Sequence, residues 1–145
     1  MVFSESMKVN DKIATYDIAN LSSGNYTNIL KSVTENLDDY IGEKIHFVGY
    51  VFRAMDFTKD EFVLARDMVI SPDNQTLVVG FLCKYKNAEK FKDKTWIEIT
   101  GTIQKGEYHS EIPIIQIENI KEVEQPSDEF VYPPDDYYIP TSILF

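Results

Sequence analysis

Arg53 closes the run GYVFR, and Arg66 sits in FVLARD with Asp67 directly after it. A guanidinium among apolar strand residues needs a partner, because an unpaired buried charge is costly. Two uses compete. One is an ion pair with an acid such as Asp56, Asp67 or Glu98. The other is a polar anchor for an anionic group, which makes Tyr50, Arg53, Arg66 and Asp67 the candidate ligand-binding residues. The two histidines offer less. His46 falls in a strand-like run and His109 in a turn, with no HxxxH spacing and no cysteine near either, so no metal site is expected. Cys83 lies among apolar neighbours and should behave as a small hydrophobe. No glycine-rich phosphate loop and no GxSxG elbow is present, and Ser71 beside Pro72 reads as a turn residue. No catalytic constellation and no cofactor are expected.

A second signal is basic. Between Lys84 and Lys94 stand Lys84, Lys86, Lys90, Lys92 and Lys94, with Tyr85 and Phe91 interleaved and only Glu89 and Asp93 opposing them. Cations mixed with aromatics are the raw material of single-strand nucleic-acid binding. The plainer reading is a solvated connection whose Phe91 plugs one end of a barrel, away from any groove.

The elements that must position these groups follow from periodicity. Ile29, Leu30, Val33 and Leu37 recur at three- and four-residue steps, which predicts a helix from about Asn25 to Tyr40 with Asn25 or Thr27 as its cap and Gly42 as its stop. Five strand-like runs follow, over residues 45–53, 61–70, 76–85, 95–104 and 112–123. They are rich in β-branched and aromatic types. In the fourth, Ile97, Ile99 and Ile103 share one face, while Glu98, Thr100, Thr102 and Gln104 share the other. SPDNQ and KGEYHSE read as turns, residues 86–92 as one or two helical turns, and Pro113 as the mark of an edge strand or an early irregularity. Five strands with a helical connection between the third and fourth have the order of an OB-type barrel. Gly49, Gly80 and Gly101 fall mid-strand, where a small barrel must bend. The expected fold is mainly β: a five-stranded OB-like Greek-key barrel with an N-terminal helix and an extended C-terminal tail. A sandwich or an open sheet is the alternative.

Composition divides the chain accordingly. Of 145 residues, 43% are hydrophobic and 26% charged, the range of a folded domain. The net charge is −10, which argues against nonspecific nucleic-acid binding. That charge is uneven: residues 1–43 carry −4, residues 44–123 only −1, and residues 124–145 carry −5 with no basic residue. The expected organisation is an arm with a helix (1–43), a barrel (44–123) and a Pro/aromatic tail (124–145) that packs back on the domain. The tail holds Phe130, Tyr132, Tyr137, Tyr138 and Phe145 among four of the six prolines, too aromatic for a disordered linker. A single cysteine excludes an intrachain disulfide framework. No apolar run reaches the ~20 residues that span a bilayer, and the N-terminus lacks the apolar stretch of a signal peptide.

The runs DDYIGEKIHFVGYVFR, FVLAR, GFLCKY, WIEITGTIQKGEYHSEIPIIQIENIKEVEQP and FVYPPDDYYIP resemble the soluble C-terminal domain of the YcgQ-type family over roughly residues 20–140. That family comprises bacterial proteins of unknown function associated with a two-component membrane permease complex. The resemblance implies a non-catalytic accessory or interaction domain that binds a partner protein or a small ligand, its partner being a multi-spanning permease subunit. It also implies a soluble domain that is membrane-associated in the full-length family. An OB module for single-stranded nucleic acid or another anionic ligand is the alternative. The chain departs from the family twice. It has no membrane helices, so it is expected to be an excised domain or a shortened homologue. Ser71 and Pro72 also stand where many members carry paired cysteines followed by an acid, which removes the basis for a thiol or metal role here.

Overall fold

A computed structural model of the chain describes residues 19–70, 73 and 75–134. Two helices, α1 (Tyr26–Glu35) and α2 (Leu37–Tyr40), precede the strands β1 (Lys44–Phe52), β2 (Glu61–Val69), β3 (Thr76–Lys84), β4 (Trp96–Glu107) and β5 (Glu111–Glu122). A short 3-10 turn, Ala88–Lys90, joins β3 to β4, and a two-residue strand β6 (Phe130–Val131) follows β5. The sheet order is β1-β4-β5-β3-β2-β6, and β1 also pairs with β2, which closes five strands into a barrel. All barrel pairings are antiparallel except β3 with β5. This is the mixed Greek-key barrel of the OB type.

Alternation within each strand sorts the side chains. Ile97, Ile99 and Ile103 turn inward with Ile45, Phe47, Val51, Phe62, Leu64, Met68, Val79, Phe81, Cys83 and Ile115 to form the core. The helical stripe closes one side of it. Ile29, Leu30 and Val33 are fully buried, and Tyr26 donates its hydroxyl to the Leu64 carbonyl at 2.9 Å. Each buried aliphatic side chain contributes about 1.5–3 kcal/mol, enough to hold a ten-residue helix that would be marginal alone. The helix is broken once: Asn36 leaves helical geometry, and its backbone and side-chain amides both return to the Ser32 carbonyl. Asn25 flanks the helix as expected but accepts from the Ser22 N–H, while Thr27 is buried within it and donates to the Tyr132 carbonyl.

Two differences from the expected elements have local causes. Residues 105–111 do not form a broad turn. β4 and β5 run on as a hairpin as far as Glu107 and Glu111, and only Tyr108–Ser110 turn, with His109 at φ 65°. Pro113 also does not lie on an edge strand, since β5 sits between β4 and β3; it opposes Lys105 at the start of the strand. The glycines act by close approach. A Cβ on Gly80 would lie 2.2 Å from the Leu64 carbonyl oxygen, and one on Gly101 2.6 Å from that of Gln116, where the β4–β5 register slips.

After β5 the chain returns across the barrel. Val131 is buried beside Met68, whereas Phe130 and Tyr132 are exposed. The anchor of this segment is therefore an aliphatic residue and not an aromatic one. Tyr137, Tyr138 and Phe145 lie outside the described residues.

Candidate binding face

The residues singled out in the sequence divide between two places. Arg66 occupies the seam where β1 and β2 part. Pairing of these strands covers only Tyr50–Phe52 against Val63–Ala65. Beyond it, Arg66 donates from Nε to the Val48 carbonyl at 2.9 Å and from Nη1 to Ser23 Oγ at 2.7 Å, with longer bonds to the carbonyls of Asp128 (3.2 Å) and Glu129 (3.3 Å). Its guanidinium lies 5.6 Å from the Tyr26 ring centroid and 5.4 Å from that of Trp96. Ser23 in turn donates to the Asp128 carbonyl. One buried cation thus ties β1, the arm and the returning chain together. Its partners are carbonyls and a hydroxyl, not the acids the sequence suggested. Desolvation lowers its pKa.

Arg53 is used in a similar way at the other end of the strand. Nη2 donates to the carbonyls of Ala88 (2.6 Å) and Phe91 (2.8 Å), and Nη1 pairs with Asp93 at 2.7 Å. It caps the β3–β4 connection, where Phe91 packs against the core beside Tyr85. The structure therefore places both arginines at junctions of the fold.

Tyr50 and Asp67 do meet, and they do so on the outer face of the barrel. The Tyr50 hydroxyl donates to Asp67 Oδ1. Burial, and then the neighbouring carboxylate, pushes this phenol far above its ordinary range. Around the pair lies a second apolar cluster, separate from the core. It comprises Tyr50, Val63, Ala65, Leu82, Ile112 and Ile114, flanked by half-buried Phe52, Phe57, Val78, Trp96 and Tyr108. Trp96 meets Tyr50 edge-on at 5.5 Å, and Phe57 meets Tyr108 at 5.3 Å. Lys94 places its ammonium 4.7 Å over the Tyr50 ring. Tyr108 donates to Asp56 Oδ1 at 2.9 Å, and His109 stands 3.7 Å from the other oxygen of that carboxylate. Met55, in the β1–β2 loop, is fully exposed. The face is aromatic in its middle and carries carboxylates at its margins.

The sequence reading missed Trp96, Phe57 and Tyr108. Trp96 was legible, since it shares the outward parity of Glu98 and Thr100 in β4. Phe57 and Tyr108 sit in loops, and only the fold brings those loops together.

His46 marks a second locality, a surface depression of about 280 Å³ lined by Glu98, Thr100, Asn119, Ile120 and Lys121. His46 Nδ1 lies 2.9 Å from Asn20 Oδ1, its Nε2 meets Glu98, and Lys121 is 3.7 Å from the same carboxylate. The hydrogen bond from His46 lowers the Glu98 pKa below its ordinary 4.5. These groups satisfy one another as a charge network. Among the described residues, no three His, Cys, Asp or Glu side chains gather as a metal site. No helix among them is long and apolar enough to cross a membrane.

Strand order, closure and the outer aromatic face define an OB-type barrel domain with a helix packed on one side. The chain belongs to the DUF1980 C-terminal domain family, whose model matches residues 2–133. The comparison with curated proteins finds no match. Among solved structures, the chain is similar to the N-terminal domain of PriB protein from Thermoanaerobacter tencongensis, at 18% identity over 56% of this chain and 96% of that one, with a TM-score of 0.36. It is similar to the mitochondrial single-stranded DNA binding protein Rim1 from S. cerevisiae, at 11% identity over 57% and 94%, with a TM-score of 0.38. It is also similar to aspartyl tRNA synthetase from Entamoeba histolytica, at 14% identity over 64% and 22%, with a TM-score of 0.38.

Proposed function

We propose that this domain is a non-catalytic binding module that docks a partner protein through the outer face of β1, β2 and β3. The observation that carries this reading is the second apolar cluster, with Phe57, Trp96 and Tyr108 half-buried around the Tyr50–Asp67 pair. Aromatic side chains held by a polar tip offer large contact area at small entropic cost, and such residues dominate protein interfaces. The YcgQ-type resemblance supplies the partner: a multi-spanning subunit of a membrane permease complex, with this chain as its accessory domain. Co-purification of the tagged domain with that subunit from detergent extracts tests the reading. Retention by the wild type and loss on Trp96→Ala or Tyr108→Ala is the expected result. Reproducible absence of association with the wild type counts against the permease assignment.

A second reading, a module for single-stranded nucleic acid, is favoured by Lys94 over the Tyr50 ring. Asp56 and Asp67 on the same face oppose it, because a phosphate backbone would meet carboxylates there. Titration with single-stranded oligonucleotides at about 20 mM salt decides it, since such binding is largely electrostatic. No binding under those conditions rejects this second reading.

A further inference from the structure

Among the described residues, β3 is paired along its whole length with β2 but along only part of it with β5. In β2–β3 the Ile70 N–H bonds the Gln75 carbonyl at one end and the Tyr85 N–H bonds the Asp60 carbonyl at the other. With the register between them, this fixes the parity of β3. Residues 77, 79, 81 and 83 direct their backbone groups toward β2, and residues 76, 78, 80, 82 and 84 direct theirs away. On that far side β5 pairs in parallel only from Leu82↔Ile114 to Lys84↔Gln116. Continuing the ladder by one step requires the N–H of residue 113 to reach the Gly80 carbonyl. Residue 113 is proline and has no N–H, so the ladder stops there.

Among the described residues, no strand pairs with the outward N–H and C=O groups of Thr76 and Val78, and the proline leaves the buried Gly80 carbonyl without a donor from β5. Edge strands are commonly guarded by charge, by proline or by a covering element. Residues 74–83 contain neither a charged side chain nor a proline. The even-numbered side chains of this edge, Val78 and Leu82, belong to the outer apolar cluster together with Ala65 and Val63.

We propose that this edge is a strand-addition site that accepts an extended, uncharged segment of a partner protein alongside Thr76–Gly80. The occupant follows from what is open. A row of alternating backbone donors and acceptors is satisfied by another extended backbone, and a side chain of that segment then rests on half-buried Val78. The slot is bounded at one end by Ile112 and Ile114 of β5, so a free segment fits it better than the rigid β2–β3 hairpin of a second copy. The uncharged edge selects against a segment with charges at the contacting positions. This inference rests on the reading of the domain as a partner-protein module and names how that partner is held.

The test uses the whole chain and a phage-displayed library of random peptides about nine residues long, sufficient to span the edge. Selected peptides are expected to alternate β-branched or apolar residues without charge. Val78→Pro deletes an N–H that β2 does not use. It should weaken the selected peptides by at least about tenfold, while Lys121→Ala, at the His46 depression, leaves them unchanged. N-methylation of alternate peptide residues should weaken binding to the unaltered protein by a similar factor, which covers the case in which Val78→Pro fails to fold. Peptides that bind Val78→Pro as tightly as the wild type, or that tolerate N-methylation at every position, overturn the proposal. So does a library that yields no binder, or amide exchange in the free chain that is as slow at Thr76 and Val78 as at Val79. Loss of permease co-purification with peptide binding intact is a failure of the function reading alone.

Discussion

Replacing Arg66 by methionine removes the cation that holds the β1–β2 seam while keeping the stem volume. Two of its hydrogen bonds are short, to Val48 at 2.9 Å and Ser23 at 2.7 Å, and two are longer. A hydrogen bond to a charged group contributes about 1.5–3 kcal/mol, so the short pair alone supplies roughly 3–6 kcal/mol. Methionine recovers the cost of burying a guanidinium that is 4% exposed. It also leaves the Val48 carbonyl facing an apolar side chain in the gap between two strands, at a cost of about 1–3 kcal/mol. The net expectation is a loss of about 2–4 kcal/mol for Arg66→Met. Arg66→Lys should recover only part of it, because one ammonium cannot reproduce the planar fork that reaches both β1 and the arm. Urea unfolding followed by tryptophan fluorescence reads the loss as a lower midpoint with an unchanged slope. Amide exchange should show the returning segment loosening first, with Val131 losing protection before the core strands, because the carbonyls of Asp128 and Glu129 are released. A midpoint for Arg66→Met equivalent to less than about 0.5 kcal/mol from the wild type would refute the seam argument.

Three further outcomes are expected. Gly80→Ala places a methyl 2.2 Å from a backbone oxygen that cannot move away and should cost at least about 3 kcal/mol, read by thermal unfolding; a loss below about 1 kcal/mol would contradict the close approach. Tyr50→Phe removes the hydroxyl held by Asp67 and should cost about 1–2 kcal/mol. Alkaline ultraviolet titration of the wild type should leave Tyr50 and Tyr26 protonated until the protein unfolds, because burial raises both phenols, and early titration of either would count against that burial. Glu98 has a folded pKa below its ordinary 4.5, so its contribution is present above that value and is lost as pH falls through the lower folded value. Glu98→Gln should therefore flatten the pH dependence of the urea midpoint below about pH 5, and an unchanged acid limb would show that His46 does not hold this carboxylate in solution.

Much of the fold was legible because its signals are local. Ile97, Ile99 and Ile103 alternate, and all three are buried. Ile29, Leu30 and Val33 recur at helical spacing, and all three are buried as well. The long β4–β5 hairpin was harder to see. KGEYHSE carries turn-forming residues throughout, yet cross-strand pairing holds Lys105–Glu107 extended against Glu111–Pro113. Tertiary pairing outweighed local preference there, as it commonly does for strands.

The candidate site divides in the same way. Residue type alone marked Arg53 and Arg66 as groups in need of partners, and mid-strand glycines marked places of close approach. Which partners they found was decided by topology. Val48, Ser23 and Asp128 are far from Arg66 in sequence and meet it only because β1 and β2 diverge beside a returning chain. The same closure brings the loops bearing Phe57 and Tyr108 together and, through Pro113, ends the pairing of β3 with β5 at Leu82 among the described residues. Periodicity specifies which face of an element is buried. It carries no information about which distant element lies against that face, because that depends on the order in which the strands close.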